Sequence, residues 1–204
     1  MTRAVTSWRA CVVVAFAVLA SWGAASAQEA PADAELPPGM SAEDMAAWMR
    51  AATPGPEHEG LAAMAGSWTF SGTAWMGPEM APSHFTGTAE RRMIFGGRIL
   101  VEEVTSEWMG ETFEGTAMTG FDNVSGNYWS TWVDSMSTGI MLAHGSCAEG
   151  ACDFSGTYND PITGSPKKNR MTLTLAADRE VHEAFEHGPE GEFKSMELID
   201  SRKK

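Results

Sequence analysis

An aspartate beside a tryptophan is the first feature of this sequence that could do chemistry. In "STWVDSMSTGIM", residues 130–141, Trp132 and Val133 have the character of a β-strand, and Asp134 follows them directly. Because side chains alternate along a strand, Trp132, Asp134 and Met136 share one face. Asp134 could anchor the polar group of a small molecule, be a buried structural acid, or begin a turn by capping the backbone amides that follow it. The sequence alone leaves these alternatives open.

Two further acids, Glu183 and Glu197, could form a paired-carboxylate site for acid–base catalysis if they faced the same interior as Asp134. The turn "GPEG" between their strands does not fix the register, and a slip of one residue reverses the face of each side chain. An interior acid also needs a partner, because an isolated buried charge is very costly. The possible cationic partners are Arg91, Arg92, Arg98 and Arg170. A small-molecule enzyme that uses interior carboxylates is one alternative function.

The segment "HEAFEH", residues 182–187, resembles a zinc motif but has the wrong spacing. H-E-x-x-H places its histidines four apart on a helix, whereas His182 and His187 are five apart on a predicted strand and point to opposite faces. No metal site and no catalytic nucleophile motif are therefore predicted. No cofactor is predicted either, although haem held by one histidine of a barrel is an alternative. The candidate haem ligands are His58, His84, His144 and His182.

The cysteines indicate a structural disulfide. Cys147 and Cys152 are separated by four residues, one of them glycine, which suits a hairpin with the two cysteines opposed across its strands. Their spacing is not that of a redox-active C-x-x-C pair. A disulfide between Cys147 and Cys152 is typical of an oxidising compartment.

The N-terminus predicts export. Arg3 and Arg9 precede a short apolar run, and "ASA" at 25–27 provides small residues for cleavage, so residues 1–27 are expected to be a signal peptide removed near Ala27. The protein is then periplasmic or secreted, with no stable membrane insertion after cleavage. The net charge of −13 argues against nucleic acid and anionic membranes as partners. A small-molecule ligand is the expected partner, and the oligomeric state is not predicted.

The remaining sequence divides into a leader, a helical segment and a long β-rich segment. Residues 28–40 are rich in Pro, Ala and acids and are expected to be disordered. Residues 41–65 carry a capping box and predict one or two short helices, with a Met/Trp stripe expected to pack. Residues 66–204 alternate strand-like runs with nine turn signals, which predicts ten strands. With no helices between them, the economical all-β solution is a closed, antiparallel up-and-down barrel.

Two groups of motifs support this fold by resemblance. "AGSWTF" places Gly66 and Trp68 at the start of the first strand, and this resembles the G-x-W motif of lipocalins and related calycin barrels. The runs "RMIFGGRIL", "FEGTAMTGFDNVSGNYWSTWVDSMSTGIM", "GTYNDPITG" and "KSMELIDSRKK" resemble the bacterial family called domain of unknown function 1579, over about residues 55–204. That resemblance implies a lipocalin-like barrel with an interior cavity and no established activity.

These observations predict an exported barrel that binds a small apolar or amphipathic ligand. A haem-binding barrel and a protein-interaction module that uses the face of Met45, Trp48 and Met49 are further alternatives. The residues predicted to bind the ligand are Trp132, Asp134, Met136, Met118, Glu197, Trp108 and His144.

Overall fold

The computed structural model describes residues 39–188 and 190–204. The predicted signal peptide and the predicted leader up to residue 38 lie outside the described residues. Among the described residues, no helix combines the length and the apolar character needed to span a membrane.

Two short helices precede the sheet, as predicted. The first, α1 (Ala42–Ala52), begins at Ser41, whose Oγ accepts a hydrogen bond from the Asp44 amide at 3.1 Å, while Asp44 accepts from the Ser41 amide at 3.0 Å. The second, α2 (Pro56–Ala63), begins at a proline whose fixed φ suits the first helical position. The predicted packing of the Met/Trp stripe is wrong, since α1 buries none of its residues and Trp48 is 68 % exposed.

Ten antiparallel strands form a closed up-and-down barrel, which confirms the predicted fold class. Each strand pairs with its neighbours in sequence, and the first pairs with the last, so the sheet has no open edge. The strands are β1 (Gly66–Ala74), β2 (Ser83–Ile94), β3 (Ile99–Trp108), β4 (Glu111–Asp122), β5 (Asn127–Asp134), β6 (Met141–Ala148), β7 (Ala151–Asp160), β8 (Ser165–Ala176), β9 (Arg179–Gly188) and β10 (Gly191–Arg202).

Aromatic rings on the inner face lie over glycines of the neighbouring strand. Phe70 of β1 is paired with Gly87 of β2, and Phe85 of β2 is paired with Gly72 of β1. A Cβ atom at either glycine would overlap the facing ring. The glycines in the middle of these strands therefore let large rings lie flat against the wall rather than fill the centre of the barrel.

Trp68 packs at the junction between the first and last strands, where it lies opposite Arg202. Its fully buried indole lies between two guanidinium groups, with Cζ of Arg91 at 4.7 Å and Cζ of Arg202 at 4.3 Å from the ring centroid. Arg202 also donates to the backbone oxygens of Ala65 at 2.6 Å and Ala63 at 2.7 Å. Gly66 permits this approach, because it has φ of +131° and a Cβ there would lie 2.8 Å from Nη1 of Arg202. These contacts explain the G-x-W motif physically.

One end of the barrel is covered by α2, and we call it the helix end. Leu61 of α2 is buried there, and the buried His58 meets the ring of Phe121 edge-on at 6.0 Å. Arg98, in the turn between β2 and β3, donates to the backbone oxygen of Ala52 at 2.6 and 3.0 Å, which holds the end of α1 in place. The opposite end, which we call the loop end, carries the connections 75–82, 109–110, 135–140 and 161–164.

The predicted disulfide between Cys147 and Cys152 is present. The two cysteines are directly opposed on β6 and β7, with Cα atoms 4.0 Å apart. The two-residue turn that joins these strands consists of Glu149 and Gly150, both with positive φ, as the twist of a tight hairpin requires. Cys152 is buried, so the bond lies inside the barrel.

We expect reduction of this disulfide to lower the free energy of unfolding by about 2 kcal/mol, because the bond closes a short loop in the unfolded chain. The measurement is urea denaturation of the oxidised and the reduced protein. A Cys147→Ala/Cys152→Ala variant is the control, and its stability should not respond to the reductant. Equal stability of the oxidised and reduced wild-type protein would contradict this expectation.

Candidate functional site

The barrel encloses a cavity of about 480 Å³. The cavity opens at the loop end, where Met136 lines it and is 65 % exposed. Its other end is closed by Leu61 of α2. Most of the wall is aromatic, aliphatic or sulfur-containing. The main wall residues are Phe70, Phe85, Trp108, Phe113, Trp132, Phe154, Met141, Met171, Leu173, Leu175, Met196 and Leu198.

Two aromatic pairs form the wall near the loop end. The rings of Phe113 and Trp132 stack with an interplanar angle of 20° and centroids 6.3 Å apart. Phe85 and Trp108 meet edge-on with centroids 5.4 Å apart. Such pairs hold each other in defined orientations and present flat apolar surfaces to the cavity.

Asp134 fixes the orientation of Trp132 and begins the following turn. Its Oδ2 accepts a hydrogen bond from the indole Nε1 of Trp132 at 2.8 Å, and its Oδ1 accepts from the amide of Met136 at 2.9 Å. The indole also lies over Gly115 of β4, where a Cβ atom would overlap the ring. Asp134 is therefore a positioning and turn-forming acid, and both of its oxygens are engaged by the protein.

A cluster of charged side chains forms the floor of the cavity. The guanidinium of Arg91 contacts three carboxylates, and its side chain is only 1 % exposed. Its Nε donates to Glu102 at 2.7 Å, its Nη1 donates to Glu180 at 2.5 Å, and its Nη2 lies 3.6 Å from Oδ1 of Asp200. The acids come from β3, β9 and β10, so the sheet register brings them together from distant parts of the sequence.

Burial and neighbouring charges shift the pKa values of this cluster in different directions. Burial by itself lowers the pKa of Arg91, but the negative charges of Glu102 and Glu180 outweigh burial and raise the pKa above its ordinary value. Burial favours the neutral form of Glu180, yet contacts with His182 and Arg91 leave its pKa lowered. Burial dominates at Asp200 and raises its pKa.

His182 completes the floor on the cavity side. Its Nε2 lies 3.2 Å from Oδ2 of Asp200 and 3.5 Å from Oε2 of Glu180, and its side chain is 28 % exposed. Among the four histidines predicted as haem candidates, His182 lines the cavity. Because its Nε2 faces two carboxylates, the geometry does not single out haem, which stays an alternative prediction.

The structure separates the predicted ligand-binding residues into two groups. Trp108, Trp132 and Met136 line the cavity, and Asp134 supports Trp132 on the same face of β5. Met118, Glu197 and His144 lie on the opposite, outer faces of their strands, and their expected place in the cavity wall is wrong. Met118 alternates with the cavity-lining Ala117 and Thr119, and His144 with the inward-facing Ala143 and Gly145.

A β-bulge explains the error at Glu197. The register between β9 and β10 shifts between Lys194 and Met196, which places Leu198 opposite His182 and turns Glu197 outward. There Nζ of Lys194 bonds Glu197 at 2.7 Å and Glu183 at 2.5 Å. The two acids considered for interior catalysis are therefore neutralised by a lysine instead of facing Asp134.

Sequence reasoning missed the floor as a site. The sequence predicts Arg91 as a possible partner for an interior acid and His182 as a possible haem ligand, whereas Glu102, Glu180 and Asp200 are not among the predicted site residues. The available signal was alternation, because Glu180 and His182 share one face of their strand and Asp200 shares a face with Leu198. That signal was ambiguous, since the other face of β9 also carries an acid, Glu183.

We expect Arg91→Met to lower the free energy of unfolding by about 3–5 kcal/mol, because it leaves buried carboxylates without their partner. Arg92→Met is the matched control. Arg92 pairs with Glu103 on the outer face, where both side chains are 58 % exposed, so its loss should be below about 1 kcal/mol. Chemical denaturation of both variants measures the difference. Equal losses in the two variants would contradict a stabilising role of the buried cluster.

Comparison with known proteins supports the fold and places the chain in a family. A solved structure described as "Crystal Structure of Rv2717c from M. tuberculosis" is similar, with a TM-score of 0.56 and 11 % sequence identity, and the match covers 74 % of this chain and 100 % of that one. At this identity the likeness concerns the fold alone. No curated protein matches the chain. The family described as "Protein of unknown function (DUF1579)" matches residues 53–203, and the chain belongs to this family.

Proposed function

We propose that this protein binds a small amphipathic molecule inside its barrel. The observation that carries the proposal is the cavity of about 480 Å³, which has apolar and aromatic walls and a charged floor. Its volume falls within the range of about 300–1,000 Å³ that is usual for small-molecule sites. A wall that is mainly apolar and a few convergent polar groups are the usual composition of such sites.

The apolar part of the ligand would lie between the aromatic pairs and the sulfur-rich wall. Phe113 and Trp132 provide one flat surface, and Met171 and Met196 provide side chains that adapt to irregular shapes. Burial of apolar ligand surface here contributes about 25 cal/mol for each Å² removed from water. The walls therefore supply affinity without strong chemical selectivity.

The polar part of the ligand would meet the floor. Arg91 is almost fully enclosed by its three carboxylates and offers little surface to a ligand. Glu102 and His182 are more accessible, with side chains 20 % and 28 % exposed. Because Glu102 accepts hydrogen bonds and negative charge exceeds positive charge at the floor, a hydrogen-bond donor on the ligand suits this position better than a carboxylate.

We also propose that binding takes place outside the cytoplasm, in the periplasm or after secretion. Two observations support this location. The N-terminal sequence has the charged start, apolar run and small-residue site of a signal peptide. The disulfide between Cys147 and Cys152 is a bond that an oxidising compartment maintains.

The two tryptophans of β5 provide a matched test. Trp132 lines the cavity, whereas Trp129 lies on the other face of the same strand, paired with Gly120 and His144. We expect the neutral fluorescent probe N-phenylnaphthylamine to bind the wild-type protein, and Trp132→Ala to weaken its binding by about tenfold, the effect of roughly 1.4 kcal/mol of lost contact. Trp129→Ala should bind the probe like the wild type.

The measurement is a fluorescence titration, with each affinity expressed per folded molecule and thermal unfolding recorded for both variants. If Trp132→Ala loses stability but retains its affinity per folded molecule, Trp132 belongs only to the core. That result would contradict the proposed site.

A further inference from the structure

We propose that Glu180, His182 and Asp200 form a binding site for a divalent transition-metal ion at the floor of the cavity. This inference does not depend on the proposed binding of an amphipathic ligand. The prediction of no metal site concerned the pair His182 and His187, which lie five apart in sequence. The structure instead joins His182 to side chains of its own strand and of the next strand.

The sheet register brings the three side chains to one place. Glu180 and His182 are two residues apart on β9, so they share the inner face of that strand. Asp200 lies on β10 directly opposite Glu180. One ligand atom from each of the three residues lies within 4.8 Å of the other two. A single ion placed among them could therefore contact all three.

Two of these ligand atoms have no hydrogen-bond partner in the described part of the chain. They are Oδ2 of Asp200 and Nε2 of His182, which lie 3.2 Å apart without forming a hydrogen bond. Asp200 is only 3 % exposed, and both of these atoms are buried. A buried polar atom without a partner is costly, and a cation between these two atoms would satisfy both of them.

The charge of the cluster points to a cation as well. Arg91 supplies one positive charge against the carboxylates of Glu102, Glu180 and Asp200. A divalent ion would offset the negative charge that Arg91 leaves uncompensated. Removing that excess stabilises the buried site, because uncompensated charge is expensive away from water.

Arg91 acts as a positioning residue for this site. Its Nη1 donates to Glu180, and its Nη2 lies 3.6 Å from Oδ1 of Asp200, which leaves Oδ2 of Asp200 directed towards His182. A carboxylate can accept a hydrogen bond and bind a metal at the same time, because its two oxygens offer about four lone-pair directions. Ligand carboxylates held by such outer contacts are usual at metal sites.

The ligand set indicates which ions fit. One imidazole nitrogen with two carboxylates suits zinc, iron, manganese, cobalt or nickel, whereas calcium and magnesium prefer oxygen ligands alone. Three protein ligands leave further coordination positions of the ion free. His182 and Asp200 both belong to the cavity lining, so the proposed site lies at the cavity wall.

The test uses Zn²⁺ and the full chain purified in the presence of a chelator that is then removed. Isothermal titration calorimetry should show one tight site for each wild-type chain. We expect His182→Ala and Asp200→Asn each to weaken Zn²⁺ binding by about tenfold or more. His144→Ala is the matched control, because His144 is exposed on the outer face and should leave the affinity unchanged.

A second measurement identifies the metal ligands. It still tests the site if the Asp200→Asn variant does not fold. Co²⁺ substitution should give an absorption spectrum that His182→Ala alters and His144→Ala does not. Because the His182 side chain is 28 % exposed, we expect the His182→Ala variant to fold. The absence of Zn²⁺ binding to the wild type, or equal binding by wild type and His182→Ala, would overturn the metal site. Binding of N-phenylnaphthylamine is measured separately, so either proposal can fail while the other stands.

Discussion

Much of this structure depends on the contacts that the guanidinium group of Arg91 makes with buried acids and with Trp68. It extends from β2 to carboxylates on β3, β9 and β10, and it packs over Trp68 on β1. These five strands include both ends of the barrel sequence, so one side chain joins the first strands to the last. The arrangement is stable only as a unit, because removing the cation would leave acids buried without compensation. Arg91 therefore forms the charged floor of the cavity and also stabilises the junction between the first and last strands.

The cavity itself follows from how the large side chains are packed. Rings such as those of Phe70 and Trp132 pack over glycines, close to the sheet itself. This packing leaves space along the barrel axis. Asp134 keeps the indole of Trp132 in this position through a hydrogen bond. A barrel whose rings pointed to its centre would be filled, whereas this one combines aromatic walls, an opening at the loop end and a polar floor.

Alternation and turn signals were sufficient to predict the number of strands, their order and the disulfide. The spacing of Cys147 and Cys152 places the two cysteines opposite each other across a hairpin, which predicts their disulfide. The lack of helices between strands requires that neighbouring strands run antiparallel. The face of Trp132 was chosen by its composition, because an aromatic ring, a hydroxyl and an acid on one face are typical of a small-molecule pocket. The inner face was not predictable where both faces are polar, as on β9, or where a bulge changes the register, as before Met196.

The charged floor was beyond sequence reasoning for a different reason. Arg91 and Glu180 are 89 residues apart in sequence, and only the closed sheet brings them together. A single charged residue on the inner face of a strand interrupts the alternation of apolar and polar side chains. Its partners on other strands cannot be identified until the strand registers are known. Glu183 and Glu197 show the converse, since two acids on paired strands can be neutralised by one lysine on the outer face.

A cavity-filling substitution tests most directly whether the barrel interior binds a small amphipathic molecule. Ala117 lines the cavity, and its neighbour Met118 points outward and is 39 % exposed. In a titration with N-phenylnaphthylamine, we expect binding by the wild type and by Met118→Phe, and binding at least about tenfold weaker in Ala117→Phe, where the new ring occupies ligand space. Equal affinity in the two variants, or no binding by the folded wild-type protein, would contradict binding inside the barrel.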